Sequence, residues 1–142
     1  MAQAREALDR HFAAVDGGDV DGLARIWAPD GELVNPMGSF SGREQLQAFF
    51  GMLVPAFPDQ RHEIVDAVEL GDTVAIEGRF SGTHTGVLSG PTGDIAPTGR
   101  SVELRFAGFA RATDGQIRSL HTYFDQVAFL TQLGLMPEPA TV

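Results

Sequence analysis

Residues Ser101–Gly134, SVELRFAGFARATDGQIRSLHTYFDQVAFLTQLG, decide how the whole chain is read. The first third has two faces of strict period two. Val102, Leu104, Phe106, Gly108 and Ala110 form an apolar or small row, so that row should face the interior. Glu103, Arg105, Ala107, Phe109 and Arg111 form the other. Asp114-Gly115 marks a hairpin, and its length sets which residues of the return strand face inward. A two-residue turn pairs even positions with odd ones and turns Ser119, His121, Tyr123 and Asp125 inward. A turn with a glycine bulge pairs even with even and turns Leu120, Thr122 and Phe124 inward. The bulged turn joins apolar to apolar and is favoured. Asp125 then leaves the inner row. It stands before a helical stripe of Val127, Phe129, Leu130 and Leu133, where a carboxylate caps the first turn. The alternative role for Asp125 is chemical.

The rest of the chain frames this hairpin. Residues from about 3 to 16 read as a helix with Ala4, Leu8, His11, Phe12 and Val15 on one stripe. Gly17-Gly18 ends it, and Asp19 can cap a short second helix carrying Leu23, Ile26 and Trp27. A third helix is expected from about Arg43 to Leu53, closed by Pro55 and Pro58. From Arg61 the pattern changes to strands, RHEIVDAVEL and DTVAIEGRFSGTH. The stretch GVLSGPTGDIAPTGR exceeds an ordinary hairpin loop and is expected to rim a pocket or form a lid. Neither a repeat nor a linker divides residues 1–142, so one α+β domain is expected, with three N-terminal helices, a curved antiparallel sheet and a short C-terminal helix.

Composition removes several functions. The chain has 142 residues, 43% of them hydrophobic, and a formal net charge of −9. That balance argues against nucleic acid or an anionic membrane as partner. There is no cysteine, and all ten basic residues are arginine, so thiol, thiolate-zinc, Schiff-base and P-loop chemistry are excluded. No apolar run approaches membrane-spanning length, and MAQAREALDRHF lacks the apolar core of a signal peptide, so a cytoplasmic protein is expected. His62, His84 and His121 lack metal-ligand spacing, and no metal or cofactor is expected. His84 is expected at a solvent-exposed rim, and Glu77 with Arg79 as a surface ion pair.

His11 is the polar residue on an apolar helical stripe. It is either a satisfied core histidine or a general acid–base group. Asn35, before Pro36, is either a turn residue or a donor to a ligand carbonyl. Trp27, Phe49, Phe50, Phe80, Phe106 and Phe124, with Phe57, are core aromatics, some of which can wall a cavity for a planar or polycyclic ligand.

The segments HFAAVDGGDVDGLARIWAPDGELVNPMGSFSG, GTHTG, PTGR, DGQI and the final QLG resemble the SnoaL-like polyketide cyclase family. That family belongs to the cone-shaped superfamily of ketosteroid isomerase and limonene epoxide hydrolase. The resemblance implies a cone fold and acid–base chemistry on a small hydrophobic carbonyl compound, by cyclisation or isomerisation. Where the isomerase-like members carry a base, a tyrosine and a buried acid, this chain has Asn35, His11 and Gly108. Where the polyketide cyclases carry an aspartate and an opposing histidine, it has Thr122 and again Gly108. The hydrolase pattern of two acids flanking an arginine is not apparent. His11 and Asn35 are therefore the expected catalytic pair, with Thr122 and Asp125 as weaker candidates. A ligand-binding protein or lapsed enzyme is the competing class. The outer sheet face, with Arg105, Phe109, His121 and Tyr123, mixes aromatics with charges, and related cones pair through it, so a homodimer is expected.

Overall fold

The computed structural model describes residues 3–90 and 93–136. Helix α1 (Gln3–Asp16) and the four-residue α2 (Leu23–Ile26) lead into strands β1 (Trp27–Asn35) and β2 (Gly38–Ser41). Helix α3 (Gly42–Ala56) follows, then β3 (Arg61–Leu70) and β4 (Thr73–Thr83). A small hairpin of β5 (Leu88–Gly90) and β6 (Gly93–Ile95) precedes β7 (Ser101–Thr113), β8 (Gln116–Phe124) and α4 (Gln126–Gln132). Six strands form one sheet in the order β2-β1-β8-β7-β4-β3. The sheet is mixed rather than antiparallel throughout, because β1 runs parallel to β8. The result is an α+β cone whose inner face is covered by α1, α3 and α4.

The hairpin between β7 and β8 combines the two geometries expected of it. Asp114 and Gly115 both have positive φ, 54° and 76°, so the turn is the two-residue kind that follows the twist of its strands. It pairs Thr113 with Gln116 and Ala112 with Ile117, odd with even. One residue later Arg118 is left over, and the register becomes Arg111 with Ser119 and Ala110 with Leu120. The inward row is therefore Leu120, Thr122 and Phe124, as expected, but the parity changes at a bulge inside β8 and not at the turn. Apolar burial explains this, since both Ile117 and Leu120 are buried and only an extra residue between them allows both to face inward.

Other expectations shift for local reasons. Helix α3 runs to Ala56, with Pro55 in its last turn. Trp27 opens β1 instead of closing α2, and Asp19 accepts from the N–H of Gly22 one residue before α2 begins. The described residues of the long segment after β4 do not line the cavity. Its Leu88 is buried in the core and Gly86 lies against the carbonyl of Pro55. His84 is fully buried instead of solvent-exposed, stacked on Phe57, with Nδ1 accepting from the N–H of Thr98. Glu77 and Arg79 form no ion pair, and Arg79 stands directly across from Arg105. Gly78 is required by close approach. A Cβ there would lie 2.6 Å from the Phe106 ring and 2.8 Å from the Glu63 carbonyl. None of the described helices is long and apolar enough to cross a membrane.

Asp125 is exposed and caps α4, its carboxylate accepting from the N–H of Ala128 at 3.0 Å. Asp125→Asn should therefore leave stability nearly unchanged, and Asp125→Ala should cost about 0.5–2 kcal/mol in urea unfolding. Ligand affinity should be the same in both. A loss as large in the asparagine variant as in the alanine variant would show that charge, and not the cap, matters at this position.

Candidate functional site

Inside the cone lies a cavity of about 100 Å³, walled by Phe49, Phe50, Phe80, Phe106 and Phe124 among other apolar side chains. A dry core cavity of roughly 150 Å³ accepts benzene, so this space is on the scale of one ring. That is smaller than the polycyclic ligand suggested by the aromatic content. Among the described residues, four polar side chains reach the cavity, His11, Asn35, His62 and Thr122, and neither a carboxylate nor a guanidinium lines it. Three of the candidate residues do not line it. Trp27 is buried behind His11, Gly108 lies against Ile76 and Thr122 beneath the cavity surface, and Asp125 faces solvent at the end of the sheet.

His11 arrives because its helical stripe packs on the sheet, and it is 1% exposed. Its Nδ1 accepts a hydrogen bond from the indole N–H of Trp27 at 3.0 Å. Burial first, and then the nearby His62, lower its pKa from 6.5 to about 3. The ring is therefore neutral with its hydrogen on Nε2. One ring nitrogen has its lone pair occupied by Trp27, and the other carries a hydrogen. What His11 offers the cavity is a hydrogen-bond donor.

Asn35 has the turn role weighed for it. Its side-chain oxygen accepts from the N–H of Met37 at 2.8 Å, closing a turn across Pro36. That bond fixes the amide orientation and leaves the NH₂ without a partner among the described residues. Thr122 lines the floor from the inner row of β8.

His62 was missed by sequence reasoning. It was weighed only as a metal ligand, and its partner lies 46 positions away. Asp16, the last residue of α1, accepts from the His62 backbone N–H at 2.8 Å and sits 2.6 Å from its Nδ1. The signal was present in two places. His62 shares the inner face of β3 with Ile64, and Asp16 is a carboxylate at a helix C-terminus, where the dipole disfavours it. Among the described residues, no group of three or more acidic or histidine side chains could hold a metal ion.

Residues 8–120 match the model of the SnoaL-like domain. Solved structures of the same fold include a proposed SnoaL-like polyketide cyclase from Jannaschia sp. CCS1. It is 23% identical with a TM-score of 0.80, over 95% of this chain and 94% of that one. IdmH from Streptomyces antibioticus, a proposed polyketide cyclase, is 28% identical with a TM-score of 0.75, over 92% and 97%. TerC, co-crystallised with polyporic acid, is 20% identical with a TM-score of 0.74, over 94% and 99%. Among curated proteins no sequence matches.

The lowered pKa of His11 makes the fold acid-sensitive, and the sign follows from which state binds the proton. In the unfolded chain imidazole takes a proton near 6.5, and in the fold only near 3. Stability from this residue is complete above about pH 6.5 and is lost as pH falls through that window. Between about pH 7 and about pH 5 the loss should be on the order of 2 kcal/mol. His84, also lowered by burial, acts in the same direction. Urea unfolding at the two pH values should show a shallower loss in His11→Gln, which keeps an acceptor for Trp27. Equal losses in wild type and variant would mean that His11 is protonated in the fold.

Proposed function

Because the chain belongs to the SnoaL-like family, we propose that it catalyses cofactor-independent acid–base chemistry on a small, uncharged, hydrophobic carbonyl compound, by cyclisation or isomerisation. The observation that carries this reading is the division of labour in the cavity. Its walls are aromatic, and its few polar groups are of the kinds such chemistry uses. The Nε2–H of His11 and the amide of Asn35 are donors suited to a carbonyl oxygen that gains negative charge, and in an apolar site such donors act strongly. The absence of a carboxylate or guanidinium among the described lining residues favours an uncharged substrate, since an ion would be desolvated without a partner. The cavity volume favours a ligand, or a reacting portion of one, of about one ring. Loss of the carboxylates that isomerase-like and cyclase-like members place at the positions of Asn35, Gly108 and Thr122 means that the proton acceptor must be a different group.

The competing reading is a binding protein, and one observation favours it. His11 is held by Trp27, as a structural histidine would be. Proton exchange separates the two. In D₂O, wild-type protein should replace the α-hydrogens of 2-cyclohexenone, a one-ring enolisable ketone, faster than free imidazole at the same concentration. Saturable binding with exchange no faster than imidazole would establish a binding protein.

Assembly follows from the outer face of the sheet. Phe109 and Tyr123 are each about half exposed, at 52% and 54%, and Val68 on the same face is exposed at 68%. His121 bonds to Glu32 at 2.9 Å beside them. Such a mixture of aromatics and charge suits an interface, and the chain is proposed to pair through it about a two-fold axis. Light scattering at micromolar concentration should give twice the 15.2 kDa chain mass. Phe109→Arg should reduce it to the single mass, and a wild-type monomer would rule the pairing out.

A further inference from the structure

We infer that Asp16 and His62 form the proton-transferring dyad of this cavity, with His62 as the catalytic base and Asp16 as the residue that positions it. The inference rests on the acid–base reading above and supplies the group that reading requires.

The geometry is specific. One oxygen of Asp16 holds the His62 backbone and the other holds Nδ1. In either charge state of the ring, Nδ1 therefore carries the hydrogen facing the carboxylate. Nε2 is the nitrogen whose proton can come and go, and it has no partner among the described residues. The ring cannot rotate freely. It stacks on Phe12 at 4.6 Å between centroids, with Phe80 and Phe106 at 5.1 and 5.8 Å. The side chains are mostly shielded, His62 at 13% and Asp16 at 23% exposure, while His62 still lines the cavity. A carboxylate that fixes the tautomer and supports charge on the ring, with the opposite nitrogen left for substrate, is the arrangement that makes an imidazole an effective base.

The two histidines then have complementary tautomers. Trp27 holds Nδ1 of His11 as an acceptor, and Asp16 holds Nδ1 of His62 as a donor. One ring gives a hydrogen bond to the cavity and the other takes a proton from it. In the proposed step, Nε2 of His62 removes a hydrogen from the carbon beside the carbonyl. The C–H electron pair forms the enolate double bond, and the carbonyl π pair moves to oxygen, which His11 and Asn35 hold. In an isomerisation the proton returns from His62 to another carbon of the same conjugated system. In a cyclisation the enolate carbon bonds to a second carbonyl, and the proton ends on the new alkoxide oxygen. No oxidant or co-reactant is consumed. The substrate class is an enolisable ketone whose reacting ring is apolar and uncharged.

The test is the α-hydrogen exchange of 2-cyclohexenone in D₂O, followed by NMR with the full-length chain and with H62Q, D16N and H11Q. Melting of each variant is recorded first. H62Q should lose roughly 10²–10⁴-fold in exchange rate. D16N should lower kcat by roughly ten-fold or more with KM unchanged, as is typical when the orienting partner of an imidazole is removed. H11Q should retain a measurable part of the rate. Long-range proton–nitrogen correlations on the wild-type protein should place the hydrogen on Nδ1 of His62 and on Nε2 of His11, a readout that stands even if D16N does not fold. A folded H62Q with the wild-type rate overturns the dyad and leaves the acid–base reading in place. A D16N variant with raised KM and unchanged kcat, or a His62 ring with its hydrogen on Nε2, removes Asp16 from its role. Wild-type exchange no faster than free imidazole overturns the acid–base reading and the dyad with it.

Discussion

One extra residue, Arg118, decides which side chains see the interior. Below it the turn pairs Ala112 with Ile117; above it Ala110 pairs with Leu120. Without the bulge, every residue from Ser119 to Phe124 would exchange faces, putting His121 and Tyr123 into the core and Leu120 and Phe124 into water. The parallel contact of β1 with β8 would move with it, since Leu33 pairs with Leu120 and Val34 with His121. Asn35, one position beyond, reaches the cavity because that register is fixed. The cavity floor, the Thr122 hydroxyl and the Asn35 turn all depend on this single offset.

Much of this was legible in the chain, and the reasons are local. The α1 stripe places His11 inward because Ala4, Leu8, Phe12 and Val15 leave the helix no other face to bury. The β7 alternation is unbroken from Val102 to Ala110, so its inner row needed no structure to identify. Asp125 before a helical stripe is a cap by its residue type and place. The hairpin was harder. Asp-Gly specifies a turn, but the parity of the distant strand is set by whether Ile117 and Leu120 can both be buried, and that is a tertiary condition.

What could not be read is what depends on long-range pairing. His84 lies in a Gly- and Thr-rich segment that looks solvent-facing, and is buried because Phe57 and the residues before β7 close over it. The bond that holds His11 was hidden for a similar reason, since nothing in its own helix announces that Trp27 would donate to it. Asp16 and His62 are contributed by a helix end and a strand start that only the completed cone brings together. The sequence-derived expectation placed the chemistry on the positions where related proteins carry it. The residues actually grouped around the cavity include His62, bonded to Asp16, a pair that those positions do not include.

The Asp16 carboxylate has one more consequence, which concerns neighbouring molecules and not ligands. Strand β3 is the edge of the sheet, and an open edge is a template for adding a strand from another chain. The His62 N–H that points away from β4 is the kind of donor an incoming strand would use, and Asp16 already occupies it. Three residues on, the bulge at Val65 breaks the regular spacing that a second strand would need. With Val65, Val68 and Leu70 all exposed along this strand, those two devices guard a surface that is otherwise prone to aggregation. The carboxylate that orients the His62 ring also keeps the sheet from growing.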